Sequence, residues 1–185
     1  MQVELTDISG VRVFEGTSFS DSRGTSKKLL ELGSKNKSQY QLNLNSLLVV
    51  HNPSKGTLRG LHFQAAPFAE EKVISCLAGE IYDVIVDLRS DSSSKCNWAS
   101  ITLSGDNPQS VYLPKGLAHG YQTLRNNSTV IYAISMEYSP ENSCSLNYAS
   151  EDLAISWPLK AKNLSSKDLN GQSLYDSLKL ASRDN

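Results

Sequence analysis

The feature that most constrains this chain is a series of short apolar runs, each closed by turn-forming residues. The runs lie at 11–14, 47–50, 72–77, 81–88, 98–103, 111–113 and 129–134. Runs of this length with alternating or β-branched residues are typical of strands. Short strands separated by turns favour an antiparallel sandwich or barrel. Helix is predicted only at 23–32 and in the tail, where Leu174, Leu178 and Ala181 keep near-helical spacing.

Size and charge exclude several classes of protein. The 185 residues suit one domain, predicted over 1–185, and a net charge of -1 argues against a nucleic-acid partner. The longest apolar stretches fall far short of the ~20 residues of a membrane span, so no membrane partner is expected. The first residues lack the basic start and apolar core of a signal peptide. Because the three cysteines are scattered and form no CxxC pair, we expect a reducing, cytoplasmic location.

Two of the three histidines lie in glycine-containing segments that indicate a shared site. In the first segment, Arg59 and His62 are three residues apart, which puts them on opposite faces of a regular strand. A turn or bulge at Gly60 is therefore needed for both to reach one pocket. In the second segment, a turn after Pro114 delivers His119 onto the next strand. A glycine-rich dinucleotide motif and a P-loop are both missing from the sequence.

These two segments resemble the two motifs of the cupin superfamily, a G…H stretch and a PxGxxH turn. The resemblance predicts an all-β fold, a cupin-type double-stranded β-helix or jelly-roll barrel with short peripheral helices. Metal-binding cupins supply HxH and a Glu from the first motif, whereas here His62 is followed by Gln64 at the second position. His62 and His119 could still join Glu70 or Glu71 around a metal. We expect instead a metal-free cupin without a cofactor.

A longer ordered set of segments resembles the dTDP-4-dehydrorhamnose 3,5-epimerase family, from about residue 14 to residue 168. The set comprises 58–64, Lys72, 79–89, 113–121 and 155–158. The family consists of cofactor-free, usually dimeric cupins that invert the carbons on either side of a sugar ketone in nucleotide-activated deoxysugar synthesis. The resemblance therefore implies an isomerase that forms a homodimer and binds a nucleotide sugar. The first candidate reaction converts dTDP-4-dehydro-6-deoxyglucose to dTDP-4-dehydrorhamnose.

The chemistry explains which residue types such a site needs. Epimerisation next to a ketone requires a base on one face, an acid on the other and a donor at the ketone oxygen. By resemblance, His62 is the base, Asp168 orients its imidazole, Tyr132 is the acid, and Lys72 stabilises the oxyanion. The resemblance also implies a set of substrate-binding residues, which are Arg23, Arg59, His119, Tyr138 and Lys167.

Several binding positions depart from the family pattern. Ser26 and Lys28 replace an aromatic and an acidic residue, Leu47 and Val49 replace the polar residues of a Q-x-N motif, and Ser143 replaces an acid. These departures leave alternatives open: a single-position epimerase, a ketoisomerase on another nucleotide sugar, or a non-catalytic sugar-nucleotide-binding cupin. A binding protein has no need of His62, Tyr132 and Asp168 together, so the sequence favours the enzyme.

Overall fold

The computed structural model describes residues 2–4, 7–30 and 43–182, and its elements are mostly strands. The strands are β1 (Gln2–Glu4), β2 (Arg12–Glu15), β3 (Thr17–Asp21), β4 (Gly24–Lys28), β5 (Ser46–Asn52), β6 (Leu58–Gln64), β7 (Lys72–Ala78), β8 (Glu80–Asp87), β9 (Trp98–Ser104), β10 (Gln109–Leu113), β11 (Leu117–Thr123), β12 (Ser128–Ile134) and β13 (Ser143–Ser145). The helices are α1 (Ser166–Leu169) and α2 (Leu174–Ala181). The prediction of an all-β chain with short helices is confirmed, including the helix in the tail.

The strands form two large antiparallel sheets and one hairpin. The six-stranded sheet has the order β1-β2-β10-β7-β12-β5, and the five-stranded sheet has the order β13-β6-β11-β8-β9. β3 and β4 form the separate hairpin. Neighbours in these sheets are often distant in sequence, which is typical of jelly-roll connectivity. Within the described part of the chain, neither helix is long or apolar enough to cross a lipid bilayer.

The five-stranded sheet is covered on both faces. Its inner face packs against the six-stranded sheet, where Ile85 of β8 shares a core with Ile74 and Val130. Its outer face packs under the C-terminal segment, where Val84 and Leu174 belong to a second core. Burial on both faces explains why β8 has three consecutive apolar residues, Val84, Ile85 and Val86, rather than a strict alternation.

The helix predicted at 23–32 is wrong over the residues that the structure describes, since β3 and β4 form a hairpin there. Residues 31 and 32 lie outside the described residues. The turn is closed by Asp21, whose carboxylate accepts a hydrogen bond from the Arg23 backbone N–H at 2.8 Å. Gly24 follows with φ of +132°. An Asx turn and a glycine in this conformation stop a helix before its first turn can form.

Candidate active site

A bulge in β6 brings Arg59 and His62 to the same pocket. His62 is paired with His119, and Arg59 is paired with Tyr121. Between these two pairs, β6 advances by three residues and β11 by two. Gly60 has φ of +119°, and a Cβ on it would lie 2.5 Å from the Gly120 Cα. The bulge predicted at Gly60 is therefore confirmed, and it depends on close backbone packing between β6 and β11.

The pocket opens between the two large sheets and has a volume of about 600 Å³. His62 comes from the five-stranded sheet and Tyr132 from the six-stranded sheet, so these side chains reach it from opposite walls. Tyr138 stands at its edge with 70% of its surface exposed. Seven of the nine predicted site residues line the pocket, namely Arg59, His62, Lys72, His119, Tyr132, Tyr138 and Lys167.

His62 is held by Asp168, the eighth predicted residue. Its Nε2 lies 2.5 Å from the Asp168 Oδ1, and the Asp168 side chain is only 3% exposed. Asp168 belongs to the capping box of α1, where Ser165 Oγ donates to its Oδ2 at 2.7 Å. Burial acts to raise the pKa of Asp168, but hydrogen bonds from His62 and Ser165 outweigh it and leave the pKa below its ordinary value. The carboxylate is therefore charged at neutral pH and can orient a protonated imidazole.

A second His–carboxylate pair lies deeper in the pocket. His119 Nε2 is 2.6 Å from the Oδ1 of Asp83, which is fully buried. The His119 ring packs edge-on against Tyr132 with the ring centroids 5.8 Å apart. Sequence reasoning missed Asp83, although alternation along β8 puts it on the same face as the buried Ile81 and Ile85. A carboxylate at an inward position of a strand is the signal that could have identified it.

Tyr132 is suited to remain protonated. Burial raises the pKa of its phenol well above the ordinary value, and the nearby Tyr121 and Asp83 act in the same direction. A phenol that keeps its proton at neutral pH can donate it, whereas it would be a poor base in its ground state.

The three remaining cations of the pocket have two kinds of partner. Lys72 forms an ion pair with Glu70 at 2.8 Å. Arg59 Nε donates to the Asn52 Oδ1 at 2.8 Å, and Lys167 Nζ donates to the Ser143 Oγ at 2.6 Å. Among the residues that the structure describes, the side-chain hydrogen bonds of Arg59 and Lys167 thus go to neutral groups, which leaves their positive charge available to an anionic ligand.

The two glutamates considered as metal ligands have other partners. Glu70 pairs with Lys72, and Glu71 accepts a hydrogen bond from the Tyr112 hydroxyl at 2.5 Å. Across residues 2–4, 7–30 and 43–182, no group of three His, Cys, Asp or Glu side chains has a metal-binding arrangement. The described donor set therefore does not form the ligand cluster of a metal-binding cupin.

Arg23, the ninth predicted residue, does not line the pocket of its own chain. It lies in the exposed β3–β4 hairpin, where its guanidinium binds Asp21.

Two of the apolar residues of β5 line the pocket. Leu48 is paired directly with Tyr132 and lines the pocket, and Leu47 lines it as well. Val49, in contrast, is 58% exposed and is not part of the lining. Leu48 rather than Val49 therefore presents the apolar surface next to Tyr132.

The chain is similar to known proteins over nearly its whole length. Residues 5–176 match the family model of dTDP-4-dehydrorhamnose 3,5-epimerase. A relative of that name from Shigella flexneri is 33% identical over 181 residues, which cover 95% of this chain and 97% of the relative.

Two solved structures also resemble it. One is the dTDP-4-dehydrorhamnose 3,5-epimerase of Bacillus anthracis with TDP and PPi bound. It has a TM-score of 0.88 and 33% identity, and the match covers 94% of this chain and 98% of that one. The other is a 3'-monoepimerase of Streptomyces bikiniensis in complex with dTDP-quinovose, with a TM-score of 0.85, 28% identity and coverage of 94% and 88%. The predicted cupin-type fold is confirmed by these likenesses.

Proposed function

The chain belongs to the dTDP-4-dehydrorhamnose 3,5-epimerase family, and on that premise we propose that it inverts C3, C5 or both in a nucleotide-activated 4-keto-6-deoxyhexose. The substrate that we favour is dTDP-4-dehydro-6-deoxyglucose, which would become dTDP-4-dehydrorhamnose. The observation that carries the proposal is the position of the His62–Asp168 pair and the Tyr132 phenol on opposite walls of one pocket. Inversion at carbon needs a base and an acid on opposite faces of the ring.

In the proposed mechanism, His62 removes the proton from a carbon adjacent to the ketone, and the electron pair of that bond moves to the ketone oxygen as an enolate forms. Asp168 stabilises the imidazolium that results. Lys72 and His119 donate hydrogen bonds to the enolate oxygen, which carries the developing charge. Tyr132 then delivers a proton to the opposite face of the same carbon. Exchange with solvent restores the proton on Tyr132 and removes the one on His62.

Two cations of the pocket can bind the diphosphate of a nucleotide sugar. A nucleotide diphosphate presents two phosphate groups, and Arg59 and Lys167 are the two pocket cations whose described hydrogen bonds go to neutral partners. The planar guanidinium of Arg59 suits bidentate contact with phosphate oxygens. Tyr138, exposed at the edge of the pocket, can stack on the nucleobase.

We also propose a homodimer in which Arg23 reaches the pocket of the partner. β5 lies at the end of the six-stranded sheet, and its Leu47 and Val49 side chains are exposed. Uncovered apolar edge strands favour association. Light scattering at micromolar concentration should give the mass of two chains, and a monomer would contradict the proposal. The three scattered cysteines further support action in the reducing cytoplasm.

A single-position epimerase is the second candidate. The likeness to a 3'-monoepimerase is nearly as close as the likeness to the 3,5-epimerases. The apolar Leu47 in the pocket lining also replaces a polar residue of the family pattern, and such a change can alter which intermediate is accepted. Both candidates share the same chemistry and differ in the carbon that is inverted.

The test is proton NMR of nucleotide 4-keto-6-deoxysugars incubated with the protein in deuterated water. We expect solvent deuterium to replace the hydrogen at C3, at C5 or at both, which reports the activity and the position together. His62→Asn should lower this exchange by about 10²–10⁴-fold, since the enolate forms much more slowly without the positioned base. His51→Asn is the matched control, because His51 is exposed and contacts Thr129 rather than the pocket.

Tyr132→Phe should reduce inversion more than exchange. In this variant His62 still removes a proton and can return a solvent-derived one to the same face. Tyr175→Phe, on the exposed surface of α2, is the control for loss of a hydroxyl. Exchange at the normal rate in His62→Asn would contradict the proposed mechanism.

A further inference from the structure

Glu70 is a carboxylate of the pocket to which the proposed mechanism gives no role. It forms the ion pair with Lys72, and the side chains of both residues are only 12% exposed. The second oxygen of Glu70 lies 3.2 Å from the Gln64 Nε2, whose two protons are shared among this oxygen and the carbonyls of Phe68 and Glu137. Gln64 is itself buried, and its Oε1 accepts from the Ser139 N–H. The Glu70 carboxylate is therefore held from two sides.

The local sequence explains why Glu70 and not its neighbour meets Lys72. In an extended segment, residues two apart point to the same side, so Glu70 and Lys72 both face the pocket. Glu71 points to the other side, where it accepts the hydrogen bond from the Tyr112 hydroxyl. Two adjacent glutamates therefore have separate surroundings, and only Glu70 can act on the pocket.

The pairing of Glu70 with Lys72 follows a pattern in the site. The two pocket histidines, His62 and His119, are each held by a buried carboxylate, and Lys72 is held in the same way by Glu70. Arg59 and Lys167, in contrast, hydrogen-bond to neutral groups. Carboxylate partners therefore accompany the groups that the mechanism places at the reacting carbons and the ketone. Neutral partners accompany the groups assigned to the diphosphate.

We propose that Glu70 is a positioning residue that holds the Lys72 ammonium at the ketone oxygen of the substrate. This inference rests on the proposed function. Lysine carries its charge on a flexible four-carbon stem, and an unanchored ammonium would move toward the substrate diphosphate. An ammonium has three donors. Glu70 takes one of them and leaves two for the enolate oxygen, so the stabilising donors are in place before the charge develops.

The experiment is a double-mutant cycle on the rate of deuterium incorporation. Glu70→Ala should lower kcat by about 10- to 100-fold, the range expected when a catalytic group is displaced by roughly 1 Å. KM should stay within about twofold, because the contact acts in the transition state rather than in substrate binding. Glu70→Gln keeps an oxygen that can accept from the ammonium, so it should recover most of the lost rate. Glu71→Ala is the matched control and should leave kcat unchanged.

The cycle is completed in a Lys72→Ala background. If Glu70 acts through Lys72, adding Glu70→Ala there should cause no further loss of kcat. Losses that multiply in the double variant, or a Glu70→Ala protein with normal kcat, would overturn the role of Glu70 while leaving the proposed function intact. Failure of the wild-type protein to exchange deuterium at C3 or C5 would overturn the proposed function, and this inference with it. Thermal melting curves of all variants distinguish displacement of the Lys72 ammonium from unfolding of the protein.

Discussion

Replacing Gly60 with alanine should separate the two strands that carry His62 and His119. The added Cβ would lie 2.5 Å from the Gly120 Cα and 2.8 Å from the His119 carbonyl oxygen. Non-bonded carbon atoms pack about 3.5–4.0 Å apart, so β6 and β11 must move apart by about 1 Å. Because the neighbouring atoms are backbone, rotation of a side chain cannot relieve the contact.

The expected cost has two parts. Overpacking a close contact costs about 1–3 kcal/mol. An alanine at the φ of +119° that Gly60 adopts costs about 1–3 kcal/mol more. The free energy of unfolding should therefore fall by about 4 kcal/mol, which corresponds to a decrease in Tm of about 10 °C for a protein of this size. Because a displacement of about 1 Å at a catalytic group can cost about 100-fold, kcat should fall by a similar factor.

The assay combines thermal unfolding with deuterium incorporation followed by NMR, and Gly10→Ala is the matched control. Gly10 has φ of +81°, but a Cβ there would meet a Pro114 side-chain carbon at an ordinary 3.4 Å. In this variant the free energy of unfolding should fall by only about 1–2 kcal/mol, the cost of an alanine at positive φ, and kcat should not change. If Gly60→Ala melts and reacts like Gly10→Ala, close packing of the two strands does not position the site, and the reasoning is refuted.

Three other perturbations test separate parts of the structure. Burial acts to raise the pKa of Asp87, but hydrogen bonds from Arg89 and two serines outweigh it and lower the pKa. The stability from this carboxylate is present above about pH 4 and is lost as the pH falls through the folded-state pKa. In urea titrations, Asp87→Asn should thus cost about 2 kcal/mol at pH 7 and progressively less below pH 4; a constant difference would contradict this. Asp83→Asn should lower kcat by about 10-fold through the orientation of His119, and unchanged NMR rates would argue against that pair. Arg59→Lys should raise KM by about 10-fold with little change in kcat, because the proposed bidentate contact of Arg59 with phosphate would be lost; an unchanged KM would show that Arg59 does not bind the substrate.

Local patterns in the sequence were sufficient to predict seven of the thirteen described strands and one detail of the site. The short apolar runs closed by turn residues predicted β2, β5, β7, β8, β9, β10 and β12, since such runs are typical of strands. The spacing of Arg59 and His62 predicted the bulge at Gly60, because residues three apart lie on opposite faces of a regular strand. The helix predicted at 23–32 was wrong where the structure describes it, because the Asx turn at Asp21 closes a hairpin whose strands were not recognised.

The sequence by itself thus determined the fold class, the cupin motifs, the residue types of the proposed acid–base site and, by resemblance, the pairing of Asp168 with His62. Only the tertiary structure decided the other partners within that site. Asp83 meets His119 because β8 and β11 pair, although 35 residues separate them in the chain. Leu48 rather than Val49 faces the pocket because β5 pairs with β12 in the register that sets Leu48 opposite Tyr132. A local period assigns a side chain to a face, whereas the register between strands distant in sequence decides which side chain lies next to it.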